Sequence, residues 1–270
     1  MLNFPNRFLL VGETIMKWHG KKILITGAAS GIGAMMAKKM GNLGAELILW
    51  DINKEALDNF TDALKRDNIR CSSYLCDLTN VAAIEATATT VIDTHGYIDI
   101  LINNAGIVTG KSSIDSTTDD IQRTFAVNTL ALFWTTKLFL PIMLERNTGH
   151  IVTIASAAGI TSIPKLVDYS ASKFAAFGFA DALRLELKKC HANINTTLVC
   201  PYFINTGKTG LFAGVKTRFP FLLPILNPDY VTNKIIHAIE KRKARLILPR
   251  FVITVFLCRI FPVSLYDKVL

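Results

Sequence analysis

The sequence predicts an α/β protein built on a doubly wound parallel sheet of about seven strands, with helices on both faces. From residue 21 onward, short β-branched or apolar runs alternate with longer stretches of helical periodicity, the pattern of repeated strand–helix–strand units. The runs are nearly continuous in apolar residues, as strands buried on both sides should be. Half of the 270 residues are hydrophobic, enough for one large core, so we expect a single domain.

Seven runs are predicted to be strands, and the segments between them to be helices. In chain order the strands are KILIT (22–26), ELILW (46–50), CSSYLC (71–76), DILINN (99–104), HIVTIA (150–155), INTTLVC (194–200) and RLILP (245–249). Sheets of this kind bind ligands outside the carboxyl ends of their strands, where the strand order reverses. We therefore expect the functional residues to follow the strands.

A glycine-rich turn, TGAASGIG at 26–33, follows the first strand. Glycine supplies the backbone angles of a sharp strand-to-helix turn and allows a close approach that a Cβ would block. The free N–H groups and the positive dipole end of the next helix then favour a phosphate group. The turn therefore predicts a Rossmann-type dinucleotide site.

Asp51 stands at the end of the second strand, 18 residues after Gly33. A carboxylate there can accept hydrogen bonds from the adenosine ribose hydroxyls. A 2′-phosphate would meet that negative charge unfavourably. We expect NAD as the cofactor, with NADP less favoured.

Several motifs together resemble one family, the classical short-chain dehydrogenase/reductases. They are TGAASGIG, CDL at 76–78, NNAG at 103–106, Ser156, and YSASK at 169–173. The resemblance covers the chain from residue 21 to about residue 249, which would be the dinucleotide-binding and catalytic domain. Besides Asp51, the resemblance implies a set of further cofactor-binding residues. They are Gly27, Ser30, Gly31, Ile32, Gly33, Asp77, Leu78, Asn104, Ala105, Gly106, Tyr169, Lys173, Pro201 and Thr206.

Tyr169 and Lys173 are four residues apart in a stretch of helical periodicity, so both side chains project from one face. A free phenol has a pKa near ~10, too high for a base at neutral pH, and a neighbouring ammonium lowers it. We expect Tyr169 to take the proton of an alcohol while hydride leaves the same carbon. By the resemblance, Lys173 would tune Tyr169, Ser156 would hold the substrate oxygen, and Asn128 would complete the catalytic set.

The segment at about 203–230 is rich in Phe, Leu and Pro and would form a lid over the substrate. Such a pocket suits a large apolar molecule with one alcohol or carbonyl. We expect substrate contacts from Ser156, Ile163, Tyr169 and Phe203; packing against the core or a partner is the alternative use of these apolar residues. ILWDIN, VCPYFINTG and GVKTRFP resemble the subgroup of retinol dehydrogenase 10, epidermal retinol dehydrogenase 2 and 17β-hydroxysteroid dehydrogenase 11, which implies retinoid, steroid or long-chain lipid alcohols.

Two segments flank the domain. Residues 1–20 would form an N-terminal amphipathic segment, because Phe4, Phe8, Val11, Ile15 and Trp18 recur at steps of four and three. As a helix this segment could pack on the protein or a partner subunit, or lie in a membrane interface. Residues 250–270 form an apolar C-terminal extension that could extend the substrate mouth, contact a membrane or pack against another subunit.

Composition narrows the partners and the compartment. The net charge is +9, but the basic residues gather near the chain ends without nucleic-acid-binding motifs, so we expect no nucleic-acid partner. Five cysteines without metal-ligand spacing favour free thiols and no metal site. Neither a signal peptide nor a run of the ~18–20 apolar residues of a membrane-spanning helix is predicted. We expect a cytoplasmic protein, with peripheral membrane contact as an option.

Three functions compete on these grounds. The first is an NAD-dependent oxidoreductase for a lipophilic alcohol or carbonyl. The second is an NADPH-dependent carbonyl reductase, against which Asp51 argues. The third is a catalytically idle NAD-binding scaffold at a membrane surface, in which the catalytic set would have no purpose. By the resemblance, the active protein would be a homodimer or homotetramer.

Overall fold

The computed structural model describes residues 17–207, 211–212 and 224–257. Seven strands form one fully parallel sheet in the order β3-β2-β1-β4-β5-β6-β7. They are β1 (Lys22–Thr26), β2 (Glu46–Asp51), β3 (Cys71–Leu75), β4 (Ile100–Asn103), β5 (Gly149–Ile154), β6 (Ile194–Pro201) and β7 (Arg245–Leu248). The predicted Rossmann-type sheet is confirmed, and each predicted strand lies within one residue of the observed one at either end.

Helices cover both faces of the sheet. They are α1 (Gly31–Asn42), α2 (Lys54–Arg66), α3 (Val81–His95), α4 (Thr118–Phe125), α5 (Ala131–Glu145), α6 (Val167–Lys189), α7 (Pro228–Glu240) and α8 (Val252–Leu257). A π-helical turn, Ala126–Leu130, joins α4 to α5, and a short 3₁₀ turn, Ala157–Gly159, follows β5.

The side-chain alternation of the strands divides the core into two layers. In β1, Ile23 and Ile25 pack into the layer that contains α1, α2 and α7, whereas Leu24 packs into the layer that contains α3, α5 and α6. All three side chains are fully buried. This two-sided burial is why the strand sequences are continuously apolar.

Strand order reverses between β1 and β4, because β1 pairs with β2 on one side and β4 on the other. The connection after β1 therefore turns to one face of the sheet and the connection after β4 to the other. A crevice opens between them at the carboxyl ends of the strands. The glycine-rich turn and the NNAG segment border this crevice.

The predicted amphipathic stripe of residues 1–20 lies outside the described residues except at its end. Residues 17–20 are not helical. Trp18 is buried in the core and its Nε1 donates a hydrogen bond of 2.7 Å to Glu240 Oε1 in α7. Trp18 thus belongs to the packing of the domain and does not continue a helical stripe.

The C-terminal extension begins with α8, and residues 258–270 lie outside the described part. Val252 is 1% exposed and packs with Leu198 and Ala180, which anchors α8 to the domain. The apolar side chains of Phe251 and Ile253 are exposed.

The helix that runs through Thr118–Glu145 is long and apolar enough to cross a membrane by length and composition, although no such segment was expected from the sequence. Its inner face is packed within the domain. Thr135 Oγ1 donates to Asn103 Oδ1 at 2.8 Å, and Phe139 contacts Trp50 with ring centroids 6.0 Å apart. A core helix meets the same criterion, and these contacts are those of a core helix.

Candidate active site

The glycine-rich turn after β1 requires glycine, either for its backbone angles or because a Cβ would clash. Gly27 and Gly31 have φ angles of +63° and +53°, which favour glycine. A Cβ on Gly33 would lie 2.1 Å from Gly27 O and 2.6 Å from Asn104 Nδ2. Since all three glycines line the cavity, the turn presents bare backbone to it.

Asn104 locks this turn to the end of β4. Its Nδ2 donates to Thr26 O at 2.9 Å and to Gly27 O at 3.0 Å. The Thr26 hydroxyl in turn accepts from the backbone N–H groups of Asn104 and Ala105 at 3.0 and 3.1 Å. The two sides of the crevice are therefore fixed relative to each other.

Asp51 is oriented by the glycine-rich turn. Its Oδ2 accepts from Ala29 N and its Oδ1 from Asn53 N, both at 2.9 Å. Lys54 forms a 2.6 Å ion pair with Asp58 and not with Asp51. A half-buried carboxylate thus stands at the end of β2, although it does not line the cavity itself.

Asp77 and Leu78 lie in the turn that follows β3, beside the end of β2. Cys76 N donates to Asp51 O at 2.9 Å, which joins the two strand ends. Asp77 Oδ1 accepts from Thr79 N and Thr79 Oγ1, and Leu78 is buried in the core. Both residues are at the edge that the sequence predicts, but neither lines the cavity.

Tyr169 and Lys173 enter the cavity from the first two turns of α6. Tyr169 is 4% and Lys173 is 3% exposed. Lys173 Nζ lies 5.7 Å from the centroid of the Tyr169 ring and donates to Ile154 O at 3.0 Å. An ammonium is therefore held beside the phenol at the end of β5.

Ser156 completes this group from the turn after β5. Its hydroxyl oxygen accepts from Ala158 N at 3.1 Å, which fixes it at the start of the 3₁₀ turn. The Ser156 side chain also hydrogen-bonds the Tyr169 side chain. The predicted triad of Ser156, Tyr169 and Lys173 therefore converges on one wall of the cavity.

Burial controls the protonation of this pair. It raises the pKa of Tyr169 to about 12, although the hydrogen bond from Ser156 works in the opposite direction. Burial also lowers the pKa of Lys173 to about 8. At neutral pH the site therefore holds a neutral phenol next to an ammonium, and deprotonation of the phenol depends on positive charge in the cavity.

Asn128 lies in the π-helical turn and is 1% exposed. Its Oδ1 accepts from Ile107 N at 2.8 Å, and its Nδ2 donates to Ile107 O at 2.9 Å and to Ser172 Oγ at 3.0 Å. Single π-helical turns are frequent at functional sites. Asn128 connects the segment after β4 to α6 and does not line the cavity.

The cavity has a volume of about 390 Å³. Its lining residues are Gly27, Ser30, Gly31, Ile32, Gly33, Asn104, Ala105, Gly106, Ile154, Ala155, Ser156, Tyr169, Lys173, Pro201, Tyr202, Ile204, Thr206, Leu211 and Phe212. The glycine-rich side offers backbone N–H groups to a phosphate and the opposite side carries Ser156, Tyr169 and Lys173, so the residues present fit a dinucleotide.

The lid end of the cavity is aromatic and aliphatic. The Phe212 ring meets the Tyr169 ring edge-on at a centroid distance of 5.6 Å and the Phe203 ring at 4.8 Å. Phe203 and Ile163 pack in the same apolar cluster as Tyr169 but do not line the cavity. Residues 208–210 and 213–223 of the predicted lid lie outside the described residues.

Six lining residues were not predicted: Ile154, Ala155, Tyr202, Ile204, Leu211 and Phe212. Ile204, Leu211 and Phe212 fall inside the predicted lid, so the apolar composition of that segment was the available signal. Ile154 and Ala155 resemble any other buried strand residue in the sequence. Their role comes from their place at the carboxyl end of β5.

Three comparisons place the chain among known proteins. The family model described as short chain dehydrogenase matches residues 21–212. Epidermal retinol dehydrogenase 2 of Mus musculus is 46% identical over 91% of this chain and 79% of its own. Short-chain dehydrogenase/reductase family 16C member 6 of Bos taurus is 47% identical (86% and 73%), and estradiol 17-beta-dehydrogenase 11 of Homo sapiens is 40% identical (85% and 75%).

Solved structures give the same answer for the fold. A short-chain dehydrogenase/reductase of Burkholderia phymatum in complex with NAD superposes with a TM-score of 0.81 and 27% identity, over 93% of this chain and 96% of that one. A short-chain dehydrogenase of Sphingobium yanoikuyae in complex with NADPH gives a TM-score of 0.76 and 27% identity, over 85% and 88%. Structural neighbours thus include complexes with either dinucleotide.

Proposed function

Because the chain belongs to the short-chain dehydrogenase/reductase family and is an NAD(P)-dependent alcohol dehydrogenase or ketoreductase, we propose that it interconverts a lipophilic alcohol and its carbonyl with NAD. One observation carries the proposal: Ser156, Tyr169 and Lys173 share a single cavity with the glycine-rich turn. A bound dinucleotide would supply the nicotinamide ring that accepts or returns the hydride.

In the proposed reaction the chain itself handles the proton. Ser156 Oγ would hold the substrate oxygen as charge develops on it. Tyr169 would accept the hydroxyl proton in the oxidation and return it in the reduction. Lys173 would favour the phenolate, because its Nζ lies 5.7 Å from the centroid of the Tyr169 ring. Asn128 would keep the segment after β4 in place through Ile107.

A lipophilic substrate is supported by the lid end of the cavity. Tyr202, Ile204, Leu211 and Phe212 line it, and these side chains offer apolar surface next to Tyr169. The names of the relatives point to retinol and estradiol for those proteins. Retinoid, steroid and long-chain lipid alcohols are therefore the substrate classes proposed for this chain. Ile163 and Phe203 would support the substrate site from behind the cavity wall, where they pack in the cluster of Tyr169.

A preference for NAD over NADP is supported by Asp51. Its carboxylate is fixed at the end of β2 by hydrogen bonds from Ala29 N and Asn53 N. There it would accept hydrogen bonds from the ribose hydroxyls and repel a 2′-phosphate. In the proposed adenosine site, Asp77 and Leu78 would hold the adenine, while Pro201 and Thr206 would contact the nicotinamide end.

The proposal is tested by following the absorbance of reduced nicotinamide with purified protein, with NAD⁺ and NADP⁺ in parallel. All-trans-retinol, a steroid alcohol and a long-chain alcohol are the substrates. We expect turnover with at least one of them and a higher kcat/KM for NAD⁺. Turnover with NADP⁺ alone would favour a carbonyl reductase. Cofactor binding without turnover of any substrate would favour the idle scaffold.

Asp51→Ala tests the cofactor preference separately. The variant should lose much more affinity for NAD⁺ than for NADP⁺, because only the ribose of NAD⁺ gains hydrogen bonds from the carboxylate. Asp67→Ala is the matched control, since Asp67 is an exposed carboxylate paired with Lys38 on the surface. Equal losses for both cofactors in Asp51→Ala would contradict the assigned role.

We further propose that the protein is a homo-oligomer and contacts a membrane peripherally. Leu130 and Phe133 of the α5 region and Leu185 of α6 expose large apolar side chains, which supports a subunit interface on these helices. Phe251 and Ile253 near α8 expose another apolar surface, which supports membrane contact. Sedimentation with and without anionic vesicles measures both properties.

A further inference from the structure

Asp168, the residue before Tyr169, is a buried carboxylate with unusual partners. It is 7% exposed, and its Oδ2 accepts from Thr109 Oγ1 at 2.9 Å and Thr124 Oγ1 at 3.2 Å. Within the described part of the chain, its Oδ1 has no hydrogen-bond partner. A buried carboxylate bonded only by hydroxyls costs free energy. Its presence beside Tyr169 therefore calls for a role other than stability.

The helix end that carries Tyr169 has no side-chain cap. Leu166 occupies the N-cap position of α6 and makes no side-chain hydrogen bond, whereas α2, α3, α4 and α7 each have a capping side chain. Tyr169 is the third residue of α6, in the turn where helices fray most readily. Proton transfer needs the phenol in a fixed place, so the contacts that hold this turn bear on the chemistry. One of them runs from Asn128 Nδ2 through Ser172 Oγ to Tyr169 O.

Thr109 and Thr124, which hydrogen-bond Asp168, lie in segments that contact Asn128 and Lys173. Thr109 lies two residues after Ile107, which exchanges two hydrogen bonds with Asn128. In the same segment, a Cβ on Gly106 would lie 3.3 Å from Lys173 Nζ, so this backbone packs directly against the lysine. Thr124 is in the last turn of α4, immediately before the π-helical turn that carries Asn128.

We propose that Asp168 is a positioning residue for Tyr169. Its carboxylate ties the first turn of α6 to the segment after β4 and to α4, and so fixes the phenol relative to Lys173 and Asn128. Ser170 adds a longer bond, because its Oγ accepts from Ile163 N at 3.3 Å. Ile163 belongs to the connection that leads into α6, so this bond does not reach the other catalytic residues. The proposal rests on the catalytic role of Tyr169.

The kinetic test compares Asp168→Ala with Asp168→Asn. An asparagine oxygen can accept from both threonine hydroxyls, so Asp168→Asn should keep most of kcat. Asp168→Ala should lose roughly 10- to 100-fold in kcat, the cost of a slightly misplaced catalytic group. The KM values for NAD⁺ and for the alcohol should change by less than about twofold, because Asp168 does not line the cavity. Equal kcat for Asp168→Ala and wild type would overturn the proposal.

Thr124→Val and Thr197→Val form a matched pair. Both threonines are fully or almost fully buried, and both hydrogen-bond another buried side chain. Thr197 lies in the middle of β6, away from the catalytic residues, and hydrogen-bonds His150 of β5. We expect both variants to lose stability but only Thr124→Val to lose kcat. An equal loss of kcat in the two variants would show a general structural effect and contradict the proposal.

Hydrogen exchange of residues 167–171 gives a readout that does not depend on turnover. Asp168→Ala should accelerate exchange of this turn by roughly tenfold or more, whereas Asp168→Asn and Thr197→Val should not. Unchanged exchange in Asp168→Ala would overturn the anchoring role. Faster exchange in a protein whose wild type turns over no alcohol would support the anchor and overturn the proposed function instead.

Discussion

Replacing Lys173 by methionine is expected to make the cofactor-free protein more stable at neutral pH while it abolishes turnover. Methionine has a similar length and no charge. In the folded protein Lys173 is 3% exposed, and among the described residues its Nζ donates one hydrogen bond, to Ile154 O. An ammonium held in this way is unfavourable for folding, whereas in the proposed mechanism it favours the phenolate of Tyr169.

The size of the effect follows from the pKa of Lys173, which burial lowers from 10.5 to about 8. At about 1.4 kcal/mol per pKa unit, this difference corresponds to a folding cost of ~3 kcal/mol below pH 8. Loss of the hydrogen bond to Ile154 O offsets about 1 kcal/mol of the gain. The methionine variant should therefore be ~2 kcal/mol more stable than wild type at pH 7.

The difference in the free energy of unfolding between the methionine variant and wild type should change sign as the pH rises. Between pH 8 and 10.5 the unfolded wild type binds more protons than the folded wild type, so the stability of wild type rises with pH. Methionine does not titrate. Above pH 10.5 the cost is gone, and the variant should be about 1 kcal/mol less stable because it lacks the hydrogen bond.

Equilibrium urea unfolding at pH 6.5 and pH 9.5, at one protein concentration, measures this difference. The advantage of the variant should shrink by ~2 kcal/mol between the two pH values. Lys188→Met is the control, because Lys188 is exposed on the same helix and should show no such change. A methionine variant that is less stable than wild type at pH 6.5, or a difference that does not change with pH, would refute the reasoning.

Four further substitutions, one of them a control, test other parts of the site and the fold. Tyr169→Phe should abolish turnover and leave NADH binding, measured by fluorescence, unchanged; retention of more than a tenth of kcat would contradict its role as acid and base. Gly33→Ala should cost ~1–3 kcal/mol or more and lose cofactor affinity, because its Cβ would lie 2.1 Å from Gly27 O. Gly178→Ala, with open space around it, should be neutral or stabilising by up to ~1 kcal/mol in the same unfolding assay. Trp18→Phe should lower the free energy of unfolding by at least about 1 kcal/mol, since it removes the hydrogen bond to Glu240 and part of a buried side chain; an unchanged value would contradict the contribution of this residue to the core.

The strands could be predicted closely because their burial on both faces leaves a direct record in the sequence. Ile23, Leu24 and Ile25 have to be apolar whichever face they point to. The glycine-rich turn and Tyr169–Lys173 could be placed for a related reason. Each lies in a short segment whose spacing is set by one turn or one helix face.

Features that depend on contacts between distant segments could not be predicted. Asp168 is 59 residues from Thr109 in the chain, and nothing local marks the pair. The π-helical turn around Asn128 is a backbone detail without a residue signature. In the sequence, Trp18 fits the helical spacing of the preceding apolar residues. In the structure, its hydrogen bond to Glu240 in α7 determines its position. Tertiary packing determines these positions.

In the proposed reaction Tyr169, beside Lys173 and Ser156, transfers the proton while a dinucleotide in the same cavity exchanges hydride with a lipophilic alcohol. The most direct measurement is the rate of NADH formation by wild type and Tyr169→Phe with all-trans-retinol, a steroid alcohol and a long-chain alcohol. We predict turnover of at least one alcohol by wild type and none by the variant. Equal rates for the two proteins, or NAD⁺ binding without any turnover by wild type, would contradict the claim.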